Sequence, residues 1–549
     1  MNITIVGGGL TGLTAAYYLG HAKPDWRIQV YERAPRLGGK IQTERVGDFV
    51  VELGPDSYLG RKTEMTDLVV DLDLGHTLVS NATGQAYVYD QGTTHPIPGG
   101  SIMGVPTEMM PFVTSSLISW SGKLRAGLDY FKKPYPLDDN GDVSIGHFFK
   151  YHLGQEMMDK LIEPLLAGIY GGDIYKISLL STFPHFIQVE QKYGNMVKGM
   201  MAAKTGHKKA NVSKAAQGVA HVGDVPRAGK DTMKDKDFNE KEKSLSTQQG
   251  NPLTNKQLPA PQHHAAKGTA SQSGMFRQLT GGLESVIDAI VEQMPSNVTI
   301  TTHTEVSNID RNGAGYRLRL TTVDSDIANV NVNSNANSIG HICEDNQHDS
   351  HEDSETTVHT DKLIIATPPA SYRQWFRHDH VFDAVRNMEQ SSCAIAIMAF
   401  KKEDFDGELN GSGLLITRHT DTPLTACTIL NQKWPQTTGD DRIVLRVFIG
   451  KPGNDAIERY NDEELAQMAV REIQKIMNFS AEPEWVKMNR LVRSMPQYNV
   501  GHRAAVNMVK AHVKEHYPNL YLIGTPFDGI GIPDGVKQAK ELVNQLVEY

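Results

Sequence analysis

At 549 residues, with 39% hydrophobic and 22% charged side chains, the chain is long enough for several domains and a large apolar core. A formal net charge of −9 argues against a nucleic-acid binder, and three widely spaced cysteines, Cys343, Cys393 and Cys427, match neither a disulfide framework nor a zinc template, which fits a reducing compartment. No run of ~18 apolar residues occurs, so no transmembrane segment is expected, and an apolar strand beginning at residue 2 leaves no room for a cleaved targeting peptide.

Residues 2–6 (NITIV) read as a short strand that runs directly into GGGLTG, residues 7–12. Gly7, Gly9 and Gly12 form a G-x-G-x-x-G turn between a strand and a helix expected over Leu10–Leu19, with Gly8, Leu10 and Thr11 between them. The first glycine permits the tight turn, the second lets backbone approach a pyrophosphate, and the third lets helix and strand pack closely. A second strand, Ile28–Tyr31, ends on Glu32, twenty residues beyond Gly12, where a carboxylate can accept from a ribose hydroxyl while the helix amino end holds phosphate. Together these imply a dinucleotide site.

The next segment, ERAPRLGGK (32–40), is similar to the R-x-G-G segment of flavin-dependent amine oxidases and their relatives. That resemblance implies FAD rather than NAD. It places Arg33, Gly38, Gly39 and Lys40 on the cofactor, the paired glycines passing tight against the diphosphate and ribityl chain. Alternation over Ile41–Arg45 and Phe49–Leu53 reads as a hairpin that ends in the turn Gly54, Pro55, Asp56 and Ser57. In the flavin oxidases this turn lies beside the isoalloxazine ring. Thr63–Leu74 has helical apolar spacing, preceded by Arg61 and Lys62, two cations that oppose the helix dipole and so suit an anionic ligand.

From residue 80 the segments SNATGQAYVY, HPIPGGSIMGVPT, LIEPLLAGIYGGDIYKISLLSTFP, NQKWPQ, SMPQYNVGH and GTPFDGIGIPD follow in order. Taken together they closely resemble the FAD-dependent porphyrinogen oxidases of Gram-positive bacteria, within the flavin amine oxidase superfamily. The resemblance spans nearly the whole chain apart from two inserts. It implies an α/β protein with a Rossmann-like FAD-binding domain of amine-oxidase type, a mixed-sheet substrate domain and a helical domain. The expected parts are 1–65, 276–310 and 491–549 for the FAD domain, 66–100 and 311–490 for the substrate domain, and 101–199 for the helical domain lining the substrate cavity. Residues 200–275 are expected to be a disordered polar insert, and 324–360 an acidic, Asn-rich loop whose histidines fit no ligand template; 361–370 return the chain to the FAD domain.

Helices are expected over Gly146–Leu153, Glu156–Ile169 and Phe186–Met200, with no basic amphipathic face evident for a membrane. A turn and helix over 276–294, strands over Val298–Thr301 and Glu305–Ile309, and a pair Tyr316–Leu320 and Lys362–Ala366 follow. Ala394–Phe400, Gly413–Arg418 and Ile443–Ile449 suggest the substrate sheet, and Leu520–Ile523 leads to a last helix over Val536–Glu548. By resemblance, Val306 contacts adenine, Trp434 contacts flavin, and Gly524, Gly529, Ile530, Gly531 and Ile532 close the cofactor site. The amino end of the last helix would stabilise negative charge on the reduced ring. Family members usually carry Cys where this chain has Gly535, so that thiol is not essential, and with no cysteine beyond Cys427 the FAD is expected to be non-covalent.

The implied reaction is FAD- and O2-dependent removal of six hydrogens from coproporphyrinogen III, giving coproporphyrin III and three H2O2 in haem biosynthesis. Protoporphyrinogen IX is the alternative substrate, and a flavin amine or amino-acid oxidase a more distant one. No general base and no metal site are assigned. Arg61, Lys62, Lys198 and Arg418 are the candidate partners of substrate propionates. A cytoplasmic location is expected, with contact at a membrane surface and hand-over to the next haem-pathway enzyme left open.

Overall fold

The computed structural model describes residues 1–47, 49–137, 140–202, 274–323 and 356–548, excluding the side chains of 102, 167 and 169. The polar insert expected at 200–275, and nearly all of that at 324–360, lie outside the described residues.

Short, mostly apolar strands make the first sheet. Asn2–Val6 pairs in parallel with Arg27–Tyr31 on one side and Lys362–Ile365 on the other, and Val298–Thr301 and Leu520–Leu522 complete five parallel strands. Ile3, Ile5, Ile28 and Val30 are buried on one face beneath the helices Leu10–Ala22, Glu284–Glu292 and Ile532–Val547. Because the sheet is covered on both faces, the inner strands Asn2–Val6 and Lys362–Ile365 are almost wholly buried, whereas the edge strand Val298–Thr301 alternates between half-buried and exposed residues. The other face, through Val6, Tyr31 and Ile365, packs on Tyr316, Leu318 and Leu320 of a three-stranded sheet built from Thr304–Asn312, Gly315–Thr322 and Thr356–Thr360.

Two expectations are corrected here. Tyr316 pairs with Thr360 rather than with the 362–366 strand, which joins the parallel sheet, so the expected insert ends before Thr356. The antiparallel sheet also packs on the nucleotide sheet although most of it falls in the segment expected to belong to the substrate domain.

The second large sheet has seven strands, ordered Trp485–Pro496, Gln390–Lys401, Arg442–Ile449, Leu424–Ile429, Gly413–Ile416, Tyr87–Asp90 and Thr93–Pro96. One face is covered by the helix Asp462–Met477; the other faces the hairpin Thr43–Val46 and Phe49–Glu52 through Phe49, Val51, Ile395, Ile397 and Trp434. The hairpin also meets the start of the helix Glu284–Glu292, where Glu52 accepts from the Leu283 amide and Thr43 from the Glu284 amide.

The helical layer departs from its expected continuity at two places. The stretch expected as one helix over 156–169 is α-helical at Gln155–Met157, a π-turn at Met158–Ile162, and α-helical again at Glu163–Tyr170. Pro164 has no N–H and its ring crowds the preceding turn, and widening that turn relieves both problems. The helix Pro184–Tyr193 stops at Gly194, whose φ of +71° is the left-handed cap, and residues 196–202 resume as a helix. A further difference concerns the outer surface. Trp120, Leu124, Leu128 and Phe131, between 53% and 82% exposed, form an apolar stripe along the helix Trp120–Gly127 and the following 3-10 turn, with Lys123, Lys132 and Lys133 beside it. The face missed in the sequence crosses an α to 3-10 junction, where a fixed helical period loses register.

Candidate functional site

The G-x-G-x-x-G turn has the tolerances that its residues imply. Gly7 holds φ +111°, and a Cβ on Gly12 would stand 2.0 Å from the Gly7 carbonyl oxygen, so neither position accepts a side chain. The helix that follows has Gly9 as its N-cap, no capping side chain and no acidic residue in its first turn. Its leading amides are thus left without a side-chain acceptor, an arrangement suited to phosphate.

Opposite this turn runs the 36–40 segment. The Gly38 amide donates to the Gly8 carbonyl at 2.9 Å, and a Cβ on Gly39, at φ +62°, would stand 3.3 Å from Gly9 Cα. Two bare backbones face each other, a cradle that side chains would fill. Arg36 holds this loop by donating to the carbonyls of Leu37 at 2.9 Å and Ile41 at 3.0 Å, and pairs with Glu284 at 3.5 Å. In the sequence Arg36 is only one letter of the R-x-G-G pattern, yet it is the residue that shapes the cradle.

Glu32 stands at the end of its strand, as its spacing from Gly12 requires. Its carboxylate accepts from the Gly8 amide at 2.6 Å and the Ala34 amide at 2.8 Å, each oxygen retaining a lone pair for a hydroxyl donor. Arg33 is turned to Glu305 at 3.4 Å, on the strand that carries Val306. Val306 is buried beside Val6 and Tyr31, and Thr304, two residues before it, donates its amide to the Glu32 carbonyl. Glu32, Arg33 and Val306 therefore meet at one end of the turn.

Lys40 reaches from the 36–40 loop to the strand Trp485–Pro496. Burial lowers its ammonium pKa to about 8, and it donates to the Ser494 carbonyl. Gly54 packs against the same backbone, a Cβ there falling 1.8 Å from the Lys40 carbonyl oxygen. Beyond it, Asp56 accepts from Lys433 at 2.7 Å and Ser57 at 2.8 Å, with Arg446 3.7 Å away. Burial would raise the Asp56 carboxyl, but Lys433 and Arg446 outweigh it and hold the group far below the usual carboxylate range. Arg446 also donates to the Gly54 carbonyl, so one guanidinium fixes both ends of the 54–56 turn. Trp434 is fully enclosed by protein, its indole N–H 3.4 Å from Asp56, so it supports the turn and presents no open surface. Lys433 and Arg446 were missed in the sequence because isolated cations in strand-rich regions carry no spacing signal.

The last segment closes this side. Gly524 and Gly529 hold φ +107° and +100°. Tyr498 donates to the Thr525 carbonyl at 2.6 Å and accepts from the Gly529 amide at 3.0 Å, while His502, stacked on it at 3.9 Å, bonds the Phe527 carbonyl. The helix Ile532–Val547 starts one residue after Gly531, four residues earlier than its sequence pattern indicated, with Pro533 in its first turn. A Cβ on Gly535 would stand 2.5 Å from Thr11 Oγ1, so the amino ends of the first and last helices meet.

The four proposed propionate partners are not all available. Lys62 is 2.5 Å from Asp534, Arg418 is 2.9 Å from Glu163, and Lys198 stands over the Tyr130 ring at 4.1 Å. Arg61 is exposed and lies close enough to His185 to help burial lower that imidazole's pKa. A cavity of about 500 Å3 where the helical layer meets the seven-stranded sheet is lined by Asp173, Glu389, Asp455 and Glu458 against Lys176 and Lys451. Its excess of carboxylates disfavours a polyanionic ligand. Among the described residues no group of three or more His, Cys, Asp or Glu could hold a metal ion, and no helix is long and apolar enough to cross a membrane.

Residues 10–546 match the family of flavin containing amine oxidoreductases. The chain is 35% identical over 547 residues to the coproporphyrinogen III oxidase of Staphylococcus aureus, covering 100% of this chain and 99% of that protein. It is 31% identical to the coproporphyrinogen III oxidase of Bacillus subtilis, covering 100% and 98%. A crystal structure assigned as a protoporphyrinogen oxidase from Exiguobacterium superposes with a TM-score of 0.74 at 29% identity, covering 100% and 98%.

Proposed function

From a chain that belongs to the flavin containing amine oxidoreductases, and is thereby a flavin-dependent oxidoreductase, we propose oxidation of coproporphyrinogen III to coproporphyrin III with non-covalent FAD and O2, yielding three H2O2. The observation that carries the substrate is the full-length likeness to coproporphyrinogen III oxidases. The glycine cradle, the uncapped first helix and the Asp56 turn fit the cofactor.

In this reading the amides of residues 9–12 bind the diphosphate, and Glu32 accepts from the adenosine ribose. Gly38, Gly39 and Lys40 pass along the ribityl chain, and the turn 54–57 and the loop 524–532 flank the ring. When bound, the flavin supplies a hydride acceptor for each of the three two-electron oxidations. The protein's own task is to hold a bridge carbon near that acceptor and to shed water around it. Lys433 and Arg446 keep Asp56 ionised and fixed, so the turn that would meet the ring is rigid before substrate arrives. Conjugation of the product supplies driving force, so no strong base is required of the chain. We place the reaction in the cytoplasm; among the described residues no helix is long and apolar enough to cross a membrane.

The test is to supply purified, FAD-loaded protein with coproporphyrinogen III or protoporphyrinogen IX and follow porphyrin fluorescence and peroxide against autoxidation. Three peroxides per coproporphyrin are expected, with a smaller kcat/KM for protoporphyrinogen. Faster turnover of protoporphyrinogen would favour the activity named for the Exiguobacterium structure. Protein that binds no FAD, or oxidises neither porphyrinogen faster than air, would end the proposal.

A further inference from the structure

The amino end of the helix Ile532–Val547 would ordinarily present a positive partial charge to whatever lies before it. Here its first turn contains a carboxylate. Asp534 accepts from the N-cap amide of Gly531 at 3.2 Å, and a Cβ on Gly529 would stand 2.5 Å from Asp534 Cγ, so the acid is folded back beneath the loop 529–531. Alone, that negative charge would cancel the helix end's preference for an anion. Lys62 reaches it from the segment just beyond the turn 54–57, with Nζ 2.5 Å from Oδ1. The pair is partly buried, the Asp534 side chain being 19% exposed and that of Lys62 40%. The same helix end touches Thr11 in the first turn of the dinucleotide helix, so segments 7–12, 54–62 and 529–535 converge.

We propose that Lys62 is a positioning and charge-compensating residue for the cofactor, which offsets Asp534 and thereby raises the reduction potential of the bound flavin; this rests on the flavin reading above. Delivery of one hydride, two electrons and a proton, from a substrate C–H bond to the ring adds one negative charge to the ring, and the substrate carbon loses that electron pair. A cation nearby stabilises the added charge, and an unopposed carboxylate disfavours it. Lys62 therefore acts on electron acceptance, separately from any contact with substrate propionates.

The experiment measures the midpoint potential of FAD-loaded protein without substrate, in wild type and in Lys62→Met, Lys62→Arg and Asp534→Asn. Lys62→Met should become more negative, by roughly tenfold in the two-electron equilibrium or about 30 mV, and Lys62→Arg should stay near wild type. Asp534→Asn should shift to more positive potential, and the double variant Lys62→Met/Asp534→Asn should return towards wild type. Should Lys62→Met fail to fold, Asp534→Asn carries the test alone, and an unchanged or more negative potential overturns the proposal. An unchanged potential in Lys62→Met, with a raised KM for the porphyrinogen, also overturns it and gives the lysine to substrate binding. Protein that takes up no FAD overturns the flavin reading and this inference together.

Discussion

His152 Nδ1 donates to Asp129 Oδ1 at 2.6 Å, and neither side chain has any exposed surface. Glu190 Oε1 lies 2.9 Å from the other ring nitrogen, so one imidazole stands between two acids contributed by different helical segments. Burial would lower the imidazole pKa, but the two carboxylates outweigh it and raise it. A raised folded-state pKa gives stability that is fully present below the unfolded value of about 6.5 and is lost as pH rises through the folded value. The melting temperature should accordingly fall as pH increases above about 6.5. His152→Gln should be less stable by about 3–5 kcal/mol near pH 6 and should show a flatter pH profile in calorimetry. A parallel profile in the variant would exclude this imidazole as the source.

At the turn beneath the proposed ring site the sign is opposite. Asp56 has a depressed pKa, so its pairing with Lys433 and Arg446 stabilises above the unfolded value of about 3.9 and loses that effect as pH falls below it. Asp56→Asn should cost about 3–5 kcal/mol in urea unfolding at pH 7, with the gap to wild type narrowing in acid. The variant should also bind FAD more weakly, because the 54–57 turn loses its anchor; FAD titration followed by protein fluorescence would read this.

Gly39 faces Gly9 across the cradle at φ +62°. Gly39→Val should place a branched side chain both in a disfavoured backbone region and in the path of the cofactor. The protein should purify colourless and fail to turn yellow on FAD addition, with far-UV circular dichroism close to wild type. Normal flavin uptake would move the diphosphate away from this pair.

Arg61 and Arg418 differ in how fully their charge is engaged, since Arg418 already holds Glu163. Steady-state kinetics with coproporphyrinogen III should show KM raised roughly fivefold by Arg61→Ala, the equivalent of about 1 kcal/mol. Arg418→Ala should change it less. The reverse order would make the Glu163 pair part of the substrate site.

How far the sequence disclosed this arrangement depends on distance along the chain. Strand 2–6, the glycine turn and Glu32 lie within thirty-two residues, where period, spacing and glycine placement act locally, and each stands where its pattern implied. Lys433 and Arg446 act on residues hundreds of positions away, and no local pattern announces such a partner. The pairing of Lys62 with Asp534 shows the same limit: two adjacent cations read as an anion site, when one of their anions is supplied by the protein itself. Helix ends were the least legible part, because Pro164 and Gly194 alter the helix without interrupting its apolar pattern.

The order of the parallel sheet has a consequence for synthesis. Strand 2–6 is made before its partners but lies between residues 27–31 and 362–365, and the loop that would complete the proposed cofactor site follows residues 520–522. At roughly 5–20 residues per second, the nascent chain carries one open edge of its central strand for tens of seconds. On the flavin reading, capture of the cofactor would thus wait until residues 520–532 have been made, and a shortage of FAD would first be felt as chains with an unfinished binding cleft.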